Sequence, residues 1–352
     1  MESVKTLKLR LKDKHAKVLR RLAREVNQVW NFCNETSCRA IRERRTWLSG
    51  HALQKLTAGY SVLDDVLLGS ASVQLVCKEY ATRRQQFKKA KLRWRVSNPD
   101  SAKYSLGWVP FKRGQVQYKA GQVVIAGQKL GLWDSYGLAS YDLRAGSFSE
   151  DSRGRWFINV TVGVPTQKSA GVAAVGIDLG QKTAATASTG QKMDGRWYRQ
   201  AEEAIAQAQR ANKTGRVRAL HAKVRNKRKD EQHKFSTQLV RENAAIFVGN
   251  VSTDFGIAGN AKSTLDAGWA QFKTMLEYKC RQADVVFGEV DEKWTTQLCH
   301  VCASIAGPKG QTELNKRVWV CRYCLSEHDR DVNAAINIRE RGLALLAGGT
   351  PP

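Results

Sequence analysis

The pattern of apolar and polar positions divides the first half of the chain into a mostly helical region and a region of short strands. Apolar side chains alternate with mostly basic ones from Val4 to Leu11, which predicts a strand and not a signal peptide. Over residues 15–45 apolar residues recur at helical spacing with Arg and Lys between them, which predicts an amphipathic helix with a basic outer face. We predict a second helical region from about Val62 to Arg95.

Short alternating segments, separated by Gly, Asp and Ser turns, then run from Asn98 to about Pro165. Their spacing predicts a small antiparallel barrel. If the strand of residues 4–11 joins this barrel, the helices of residues 13–97 form an insertion within it. Residues 167–171 are interpreted as a linker.

A third region, in which apolar strands alternate with helices, begins near residue 172. The segment GIDLG ends a strand at Asp178 and turns into a second strand, so a hairpin carries one carboxylate at its edge. The apolar segment IFVGNVS, residues 246–252, is predicted to be a strand, and ADVVFGEVDEKW is predicted to contain the next one. A last helix starts at HDRDVNAA, with Asp329 and Asp331 at its entrance.

The charge of the chain restricts its partners. There are 58 Lys and Arg residues against 32 Asp and Glu in 352 residues, a formal net charge of +26. Such a surface repels itself unless a polyanion binds it, and nucleic acid is the polyanion that we expect. A membrane surface is disfavoured because the sequence has no apolar run of about 18 residues. We expect a cytoplasmic, nucleoid-associated protein of a bacterium or archaeon, without a membrane partner.

Four of the eight cysteines form two C-x-x-C pairs, in CHVC and CRYC, separated by 18 residues. This arrangement is typical of a zinc ribbon, and four sulfur ligands leave no coordination position for a substrate. The alternative is four buried thiols, but two matched pairs at this separation rarely arise by chance. We therefore predict a structural zinc ion on Cys299, Cys302, Cys321 and Cys324.

Two carboxylates suggest a second metal site. Asp178 ends an apolar strand, and Asp331 starts a late helix in D-x-N-A-A. Either residue alone is compatible with a turn or a helix cap. Together, in a basic protein, they favour a site at one edge of a sheet that holds two divalent cations for phosphodiester hydrolysis. Magnesium, which prefers oxygen ligands, suits such a site.

Runs of basic residues with interleaved aromatics favour contact with a nucleic-acid backbone over a merely solvated helix face. The segment RRQQFKKAKLRWR holds seven basic residues in thirteen, and KVRNKRKDEQHK is a second such run. The predicted contact residues are Arg83, Arg84, Lys88, Lys89, Lys91, Arg93, Trp94, Arg95, Arg225, Lys227, Arg228 and Lys229.

Several segments taken together resemble the TnpB family of transposon-encoded RNA-guided nucleases, the presumed ancestor of type V CRISPR effectors. They are GIDLG, HAKVRNKRKDEQHKFSTQLV, LDAGW with LEYK, WTTQLC with its cysteine pairs, and DRDVNAAINI. The resemblance covers about residues 172–342 well. It extends more loosely to VWNFCNE and LGWVPF in the N-terminal half.

The resemblance implies a multi-domain α+β and α/β protein. A wedge β-barrel would comprise residues 1–12 and 98–167, with a helical recognition insertion at 13–97. An RNase H-like (RuvC) nuclease domain would comprise residues 168–294 and 326–345, interrupted by a zinc ribbon at 295–325. The family's first and third catalytic carboxylates fall on Asp178 and Asp331, although the register leaves Asp329 as an alternative third ligand.

The family's middle carboxylate would fall on Gly249, which cannot bind a cation through a side chain. A relocated Glu just before an aromatic-Thr-Ser/Thr motif is similar to one branch of TnpB proteins and to Fanzor proteins. EKWTT aligns with that motif, so Glu292 is the expected magnesium ligand and catalytic residue. Glu289 and Asp254 are weaker substitutes, and an exposed residue at a strand end is the simplest alternative for Glu292.

The resemblance implies an RNA-guided DNA endonuclease of a transposable element, with a noncoding guide RNA and double-stranded target DNA beside a short motif as partners. Loss of the middle Glu leaves open an alternative, a nuclease-dead RNA-guided DNA-binding repressor. A guide-free DNA-binding accessory to a transposase is a further alternative, which would leave the carboxylate pair unexplained. Bound RNA in the purified protein, detected at 260 nm, separates that accessory from the guided proteins.

Overall fold

The computed structural model describes residues 2–166, 168–250, 266–309, 313 and 315–348, with the side chain of Glu2 left aside. The chain divides into two compact units, Met1–Pro165 and Thr166–Pro352. Within the described residues no helix is both long enough and apolar enough to cross a membrane.

The N-terminal unit contains two antiparallel sheets. Its strands are β1 (Glu2–Arg10), β2 (Trp108–Phe111), β3 (Gln117–Lys119), β4 (Gln122–Ile125), β5 (Gln128–Gly131), β6 (Leu143–Glu150) and β7 (Trp156–Pro165). One sheet has the order β1-β7-β6-β2 and the other β3-β4-β5. Because β1 and β2 belong to the same sheet, the chain between them leaves the sheet and returns to it.

Three helices fill the sequence between β1 and β2. They are α1 (Ala16–Arg44), α2 (Gly50–Leu56) and α3 (Ser70–Phe87). The apolar stripe of α1, which includes Leu19, Leu22, Val26 and Val29, is buried in the same core as the inward side chains of the sheets. Helical periodicity thus places the basic residues of α1 on its outer side, as its sequence predicts.

The predicted helix of residues 62–95 is too long, since α3 ends at Phe87. Lys88 takes the left-handed conformation, with φ 49°, and the chain then runs in an irregular segment. Two asparagines of α1 stabilise that segment: Asn34 bonds both the N–H and the C=O of Leu92, and Asn31 does the same for Arg95. These side-chain amides satisfy backbone groups that a helix would otherwise pair internally.

The C-terminal unit is built on a five-stranded mixed sheet of order β10-β9-β8-β11-β12. Its strands are β8 (Ala173–Asp178), β9 (Thr183–Ala187), β10 (Lys192–Asp194), β11 (Asn243–Gly249) and β12 (Val286–Val290). Strand β11 is parallel to both β8 and β12, whereas β9 is antiparallel to β8 and to β10. A separate hairpin joins β13 (Val318–Val320) to β14 (Glu327–Asp329).

Helices cover both faces of this sheet. They are α4 (Glu202–Arg210), α5 (Thr214–Glu242), α6 (Trp269–Ala283) and α7 (Arg330–Leu346). Side chains of α5 and α6 pack with Val175, Ile177, Ile246 and Val248 in one core cluster. On the other face α7 lies against the backbone of β8. This close approach requires glycine at position 176, because a Cβ there would lie 2.0 Å from the carbonyl oxygen of Ala335. This contact positions the start of α7, and with it Asp331, relative to the sheet.

Candidate functional site

Asp178 is the last residue of the central strand β8. The three residues before it, Val175 to Ile177, are buried, while Asp178 is partly exposed. Since β8, β11 and β12 are parallel, their carboxyl ends meet at the same edge of the sheet. Asp178 therefore lies where residues that follow β11 and β12 can approach it.

Glu292 follows β12 by two residues and occupies space beside Gly249, the last residue of β11. Gly249 is paired with Val290, and the backbone N–H of Glu292 donates to Oδ1 of Asn250 at 3.3 Å. A Cβ added to Gly249 would lie 2.8 Å from Oε2 of Glu292 and 3.2 Å from its Cβ. The absence of a side chain at 249 thus leaves the room into which the Glu292 carboxylate extends.

The weaker substitutes for the missing carboxylate do not share this position. Glu289 pairs with Lys273, with 2.7 Å between Nζ and Oε2, and its side chain is 43% exposed. Asp254 lies outside the described residues.

Asp331 lies in the first turn of α7, directly after the residue that caps the helix. Asp329 is that cap, since its side chain accepts from the backbone N–H groups of Asp331 and Val332. The carboxylate of Asp331 is 13% exposed and pairs with Arg317 at 2.8 Å and with Arg330 at 3.1 Å. The side chain of Asp329 caps α7 and forms an ion pair with Lys192. These interactions favour Asp331 as the third metal ligand.

The electrostatics link the three carboxylates. Burial, followed by the charges of Asp331 and Glu292, raises the pKa of Asp178 to about 8, although Arg330 and Arg317 act in the opposite direction. Burial, with a further contribution from Asp291, raises the pKa of Glu292, and Lys273 opposes this rise. Carboxylates that repel one another in a partly desolvated site are stabilised by a bound cation.

The three carboxylates influence one another electrostatically but do not form a compact group of metal ligands. In the part of the chain that the structure describes, only the four cysteines form a group of three or more His, Cys, Asp or Glu ligand atoms within 4.8 Å of one another. Asp178, Glu292 and Asp331 do not form such a group. Their donor chemistry fits magnesium, because all three offer hard oxygen ligands and their summed charge exceeds that of one divalent cation.

The cysteines fit zinc closely. The Sγ atoms of Cys299 and Cys324 are 3.6 Å apart, as are those of Cys302 and Cys321. Tetrahedral Zn–S bonds of about 2.3 Å place ligand sulfurs roughly 3.8 Å apart. In addition, Nε2 of the buried His328 lies 3.1 Å from Sγ of Cys299, where it can donate to a thiolate.

Two asparagines of the motif DRDVNAAINI, to which the sequence assigns no role, position the segment after Glu292. Asn333 and Asn337 are nearly fully buried on α7, and each side-chain amide donates to the carbonyl oxygens of Thr295 and Leu298 at 2.7 to 3.1 Å. Their spacing of four residues on a mostly apolar helix is the sequence signal that could have found them. They connect the helix that carries Asp331 to the chain that carries Glu292.

Arg317 and Arg330, the partners of Asp331, were also missed. Arg330 immediately precedes Asp331, but Arg317 comes from the chain that enters β13. Their pairing depends on the hairpin, in which the N–H of Arg330 donates to the carbonyl oxygen of Arg317 at 2.7 Å. No local spacing in the sequence indicates that contact.

The residues predicted to contact nucleic acid fall into two groups: exposed side chains, and buried or partly buried side chains that bond within the protein. The exposed ones are Arg83, Lys88, Lys89, Lys91, Arg93, Trp94, Arg225, Lys227 and Lys229. Arg95 and Arg228 are partly buried and bond within the protein, Arg95 to Asn27 and Arg228 to Asp266. Arg84, also predicted to contact nucleic acid, is 3% exposed, because the end of α3 packs against the chain entering α2, and it donates to the carbonyl oxygen of Leu48.

Two family models match the chain. The model described as "Probable transposase" (OrfB_IS605) matches residues 157–254, and "Cas12f1-like, TNB domain" matches residues 269–338. A "Putative RNA-guided DNA endonuclease" of Streptomyces pristinaespiralis is 36% identical over 219 residues, which are 57% of this chain and 53% of that protein. "Putative RNA-guided DNA endonuclease InsQ" of Escherichia coli (strain K12) is 28% identical over 232 residues, 56% of each protein.

The matched region thus covers about half the length of these curated relatives. Among solved structures, the protein in "Cryo-EM structure of the Cas12f1-sgRNA-target DNA complex" superimposes with a TM-score of 0.61 at 12% identity. That superposition covers 96% of this chain and 99% of the other. The chain therefore has the mixed α and β fold of that protein.

Proposed function

We propose that this chain belongs to the TnpB family and acts as an RNA-guided DNA endonuclease of a transposable element. The two relatives that carry such a name match the region that holds Asp178, and the family models extend to Asp331. The protein would carry a noncoding guide RNA and cleave double-stranded DNA that pairs with the guide beside a short motif. Base pairing would supply the sequence specificity.

We further propose that the C-terminal unit is an RNase H-like (RuvC) nuclease domain, residues 168–294 and 326–345, with a zinc ribbon at 295–325. The order β10-β9-β8-β11-β12 and the parallel pairing of β8, β11 and β12 support this assignment. In the N-terminal unit, residues 1–12 and 98–167 would form the wedge barrel and 13–97 the helical recognition insertion. The presence of β1 in the same sheet as β2, β6 and β7 supports an insertion between β1 and β2.

The observation that carries the proposal is the position of Glu292 beside Gly249. Relocation of the middle carboxylate requires a side chain that extends toward the end of β11 and a residue there that leaves space for it, and both are present. Asp178, Glu292 and Asp331 would then hold two magnesium ions. Bound magnesium would stabilise the attacking and leaving oxygens during phosphodiester hydrolysis.

The chain's own residues prepare this site in two ways. Asn333 and Asn337 fix the segment after Glu292 against α7, which limits the distance between the two ligand-bearing elements. Arg317 and Arg330 pair with Asp331 and balance its negative charge. The exposed cations of residues 83–93 and 225–229 would contact the phosphate backbones of guide and target.

The test is cleavage of a plasmid library that carries a guide-matched target next to randomised flanking sequence, in magnesium buffer and with the RNA that the protein carries. We expect cleavage by the wild type and a loss of at least about 100-fold for Asp178→Asn and Glu292→Gln, as expected when a ligand of metal-assisted hydrolysis is removed. Glu289→Gln, at an exposed Glu near the end of the same strand, should cleave normally. Unimpaired cleavage by Glu292→Gln would exclude the relocation of the carboxylate.

One observation favours a second candidate, a nuclease-dead RNA-guided DNA-binding repressor. Asp331 is paired with two arginines, and among the described residues the three carboxylates do not form a metal-binding group as the four cysteines do. A repressor would bind matched DNA with the same guide dependence but leave it intact in magnesium. A matched target that is bound and never cut, under any flanking sequence of the library, would favour this candidate.

A further inference from the structure

A cavity in the N-terminal unit is not used by the proposed nuclease chemistry. It has a volume of about 670 Å³ and lies between the chain entering α2 and the C-terminal half of α3. The residues that line it include Trp47, Ser49, Lys78, Thr82, Arg84 and Lys88. This volume is within the range of pockets that hold small organic ligands.

Trp47 gives the cavity an aromatic wall. The residue precedes α2 in a segment without regular structure, and its side chain is 53% exposed. The guanidinium carbon of Arg84 lies 5.0 Å from the centre of its indole ring. A cation thus covers part of the ring while more than half of the side chain is accessible to a flat ligand, such as a nucleobase, that stacks on it.

Arg84 supplies a buried cation with an unused donor. Its guanidinium also lies 5.7 Å from the ring of Tyr80, and its Nη2 donates to the carbonyl oxygen of Leu48. Its Nη1 is buried without a hydrogen-bond partner among the described residues. A guanidinium stays charged, and a buried donor without an acceptor costs free energy, so an acceptor oxygen from a ligand would stabilise this side chain.

The charge of the cavity selects an anion. None of the described residues that line it is Asp or Glu, whereas Lys78 and Lys88 are exposed beside it. A bare phosphate would leave Trp47 without a role, and an uncharged aromatic would leave the three cations without one. A nucleotide joins both requirements in one molecule, because it has a base that stacks and a phosphate that pairs with cations.

We propose that this cavity binds one unpaired nucleotide of the RNA that the protein carries, with the base on Trp47 and the phosphate beside Lys78 and Lys88. The proposal rests on the proposed function, which supplies the RNA. Folded RNA exposes unstacked bases in loops and bulges, whereas the bases of a duplex DNA target are stacked inside it. RNA is therefore the source that we assign.

The test is ultraviolet crosslinking of the full-length protein to a synthetic single-stranded RNA of about ten nucleotides, followed by digestion with ribonuclease and trypsin. We expect a nucleotide adduct in the tryptic peptide of residues 46–55, TWLSGHALQK, which contains Trp47. The same DNA sequence serves as a parallel probe. Because the assay requires neither a guide nor cleavage, its result is independent of whether the protein is a nuclease.

Variants make the assignment specific. Loss of one stacked base corresponds to a weakening of about 5- to 150-fold, so Trp47→Ala should remove the adduct and weaken RNA binding within this range, while Trp47→Phe should restore most of the affinity. Trp133→Ala is the matched control. Trp133 is 48% exposed and has Arg10 stacked at 4.8 Å, but it lies outside the cavity, so its loss should leave the adduct in place.

The lysines are tested by the salt dependence of RNA binding. The double variant Lys78→Gln, Lys88→Gln should reduce the slope of log affinity against log salt by about 0.7 for each lysine that pairs with a phosphate, whereas Lys55→Gln, on α2 outside the cavity, should not. The proposal is overturned if no adduct forms in residues 46–55, or if Trp47→Ala, with an unchanged melting temperature, binds RNA as the wild type does. An adduct with the DNA probe alone would overturn the assignment to RNA.

Discussion

The cysteine cluster and the carboxylate site lie in the same unit, but only the cysteines have their ligand atoms gathered into one compact group. The four Sγ atoms already lie within 4.8 Å of one another, at separations that tetrahedral zinc requires. The carboxylates of Asp178, Glu292 and Asp331 do not form such a group among the described residues, and Asp331 is paired with two arginines.

The difference has an electrostatic cause. Cysteine sulfurs can hydrogen-bond with one another, as Cys299 does with Cys324 and Cys302 with Cys321, so the local geometry of two C-x-x-C turns and a short hairpin can bring the four sulfurs together. Ionised carboxylates repel, and each of these three is fixed by a different element of the fold. A structural metal site can therefore be formed by local turns, whereas a catalytic one needs its cation, or substitute cations such as arginines, to be stable.

Removing one thiol should have the largest effect. Cys321 is fully buried in the small core beside Trp319, and structural zinc contributes on the order of 10 kcal/mol to folding of small zinc domains. We expect Cys321→Ser to lose its zinc and to make residues 295–325 sensitive to protease. Zinc content per chain, measured by mass spectrometry, and the position of the first proteolytic cut provide the readout.

Cys38→Ser is the matched control, because Cys38 is a partly exposed thiol of α1 outside the cluster. It should retain all its zinc. A Cys321→Ser protein with unchanged zinc content and protease resistance would show that the cluster does not hold the metal, and the comparison with the carboxylates would fail.

Adding a methyl group at Gly249 should separate catalysis from stability. The new Cβ would meet Oε2 of Glu292 at 2.8 Å, and this oxygen is the movable end of a side chain, so the carboxylate should rotate away at little cost in folding free energy. We expect Gly249→Ala to slow magnesium-dependent cleavage by about 10-fold or more, which corresponds to about 1.4 kcal/mol. The melting temperature should change little.

Gly288→Ala is the control for strain in the same sheet. Its Cβ would lie 3.2 Å from the ring of Phe247, which is as tight as the closest carbon contacts at Gly249, but it would not meet Glu292. If both variants cleave equally slowly, strain in the sheet and not displacement of Glu292 explains the loss.

The elements of the C-terminal unit could be predicted from local patterns, since alternating strands, helical periodicity and C-x-x-C spacing depend on neighbours in sequence. The end of α3 at Phe87 could not, because Asn31 and Asn34 of α1 supply the competing hydrogen bonds. The pairing of Arg317 with Asp331 likewise depends on a hairpin register. The closeness of Gly249 and Glu292 follows from parallel pairing of β11 with β12, which the spacing of motifs only suggests.

The carboxylate site should make stability depend on pH and magnesium. The folded-state pKa of Asp178 is about 8, against about 3.9 for an unfolded Asp, so the folded protein holds a proton that the unfolded chain releases. The stability from this group is therefore complete below about pH 4 and is lost as the pH rises toward about 8. Magnesium should compensate for that loss most strongly at the upper end of this range.

We expect magnesium to raise the melting temperature by about 2–4 °C near pH 8 and by less near pH 6, as measured by calorimetry. Asp178→Asn should remove both the magnesium effect and this part of the pH dependence. An equal rise at both pH values, or one that persists in Asp178→Asn, would place the bound magnesium elsewhere.

The smallest expected effect is a gain at the zinc cluster. Leu325 follows the second cysteine of its pair with φ 63°, a left-handed conformation that disfavours side chains, and it is 78% exposed, so its side chain contributes little packing. Leu325→Gly should relieve this strain and stabilise the ribbon by up to about 1 kcal/mol, measured as slower loss of zinc to a chelator. Leu325→Ala keeps the strained backbone with a smaller side chain and should gain nothing. If Leu325→Gly and Leu325→Ala lose zinc at the same rate, the backbone at residue 325 is not strained. The geometry of the cysteine cluster then carries no backbone strain that glycine could relieve.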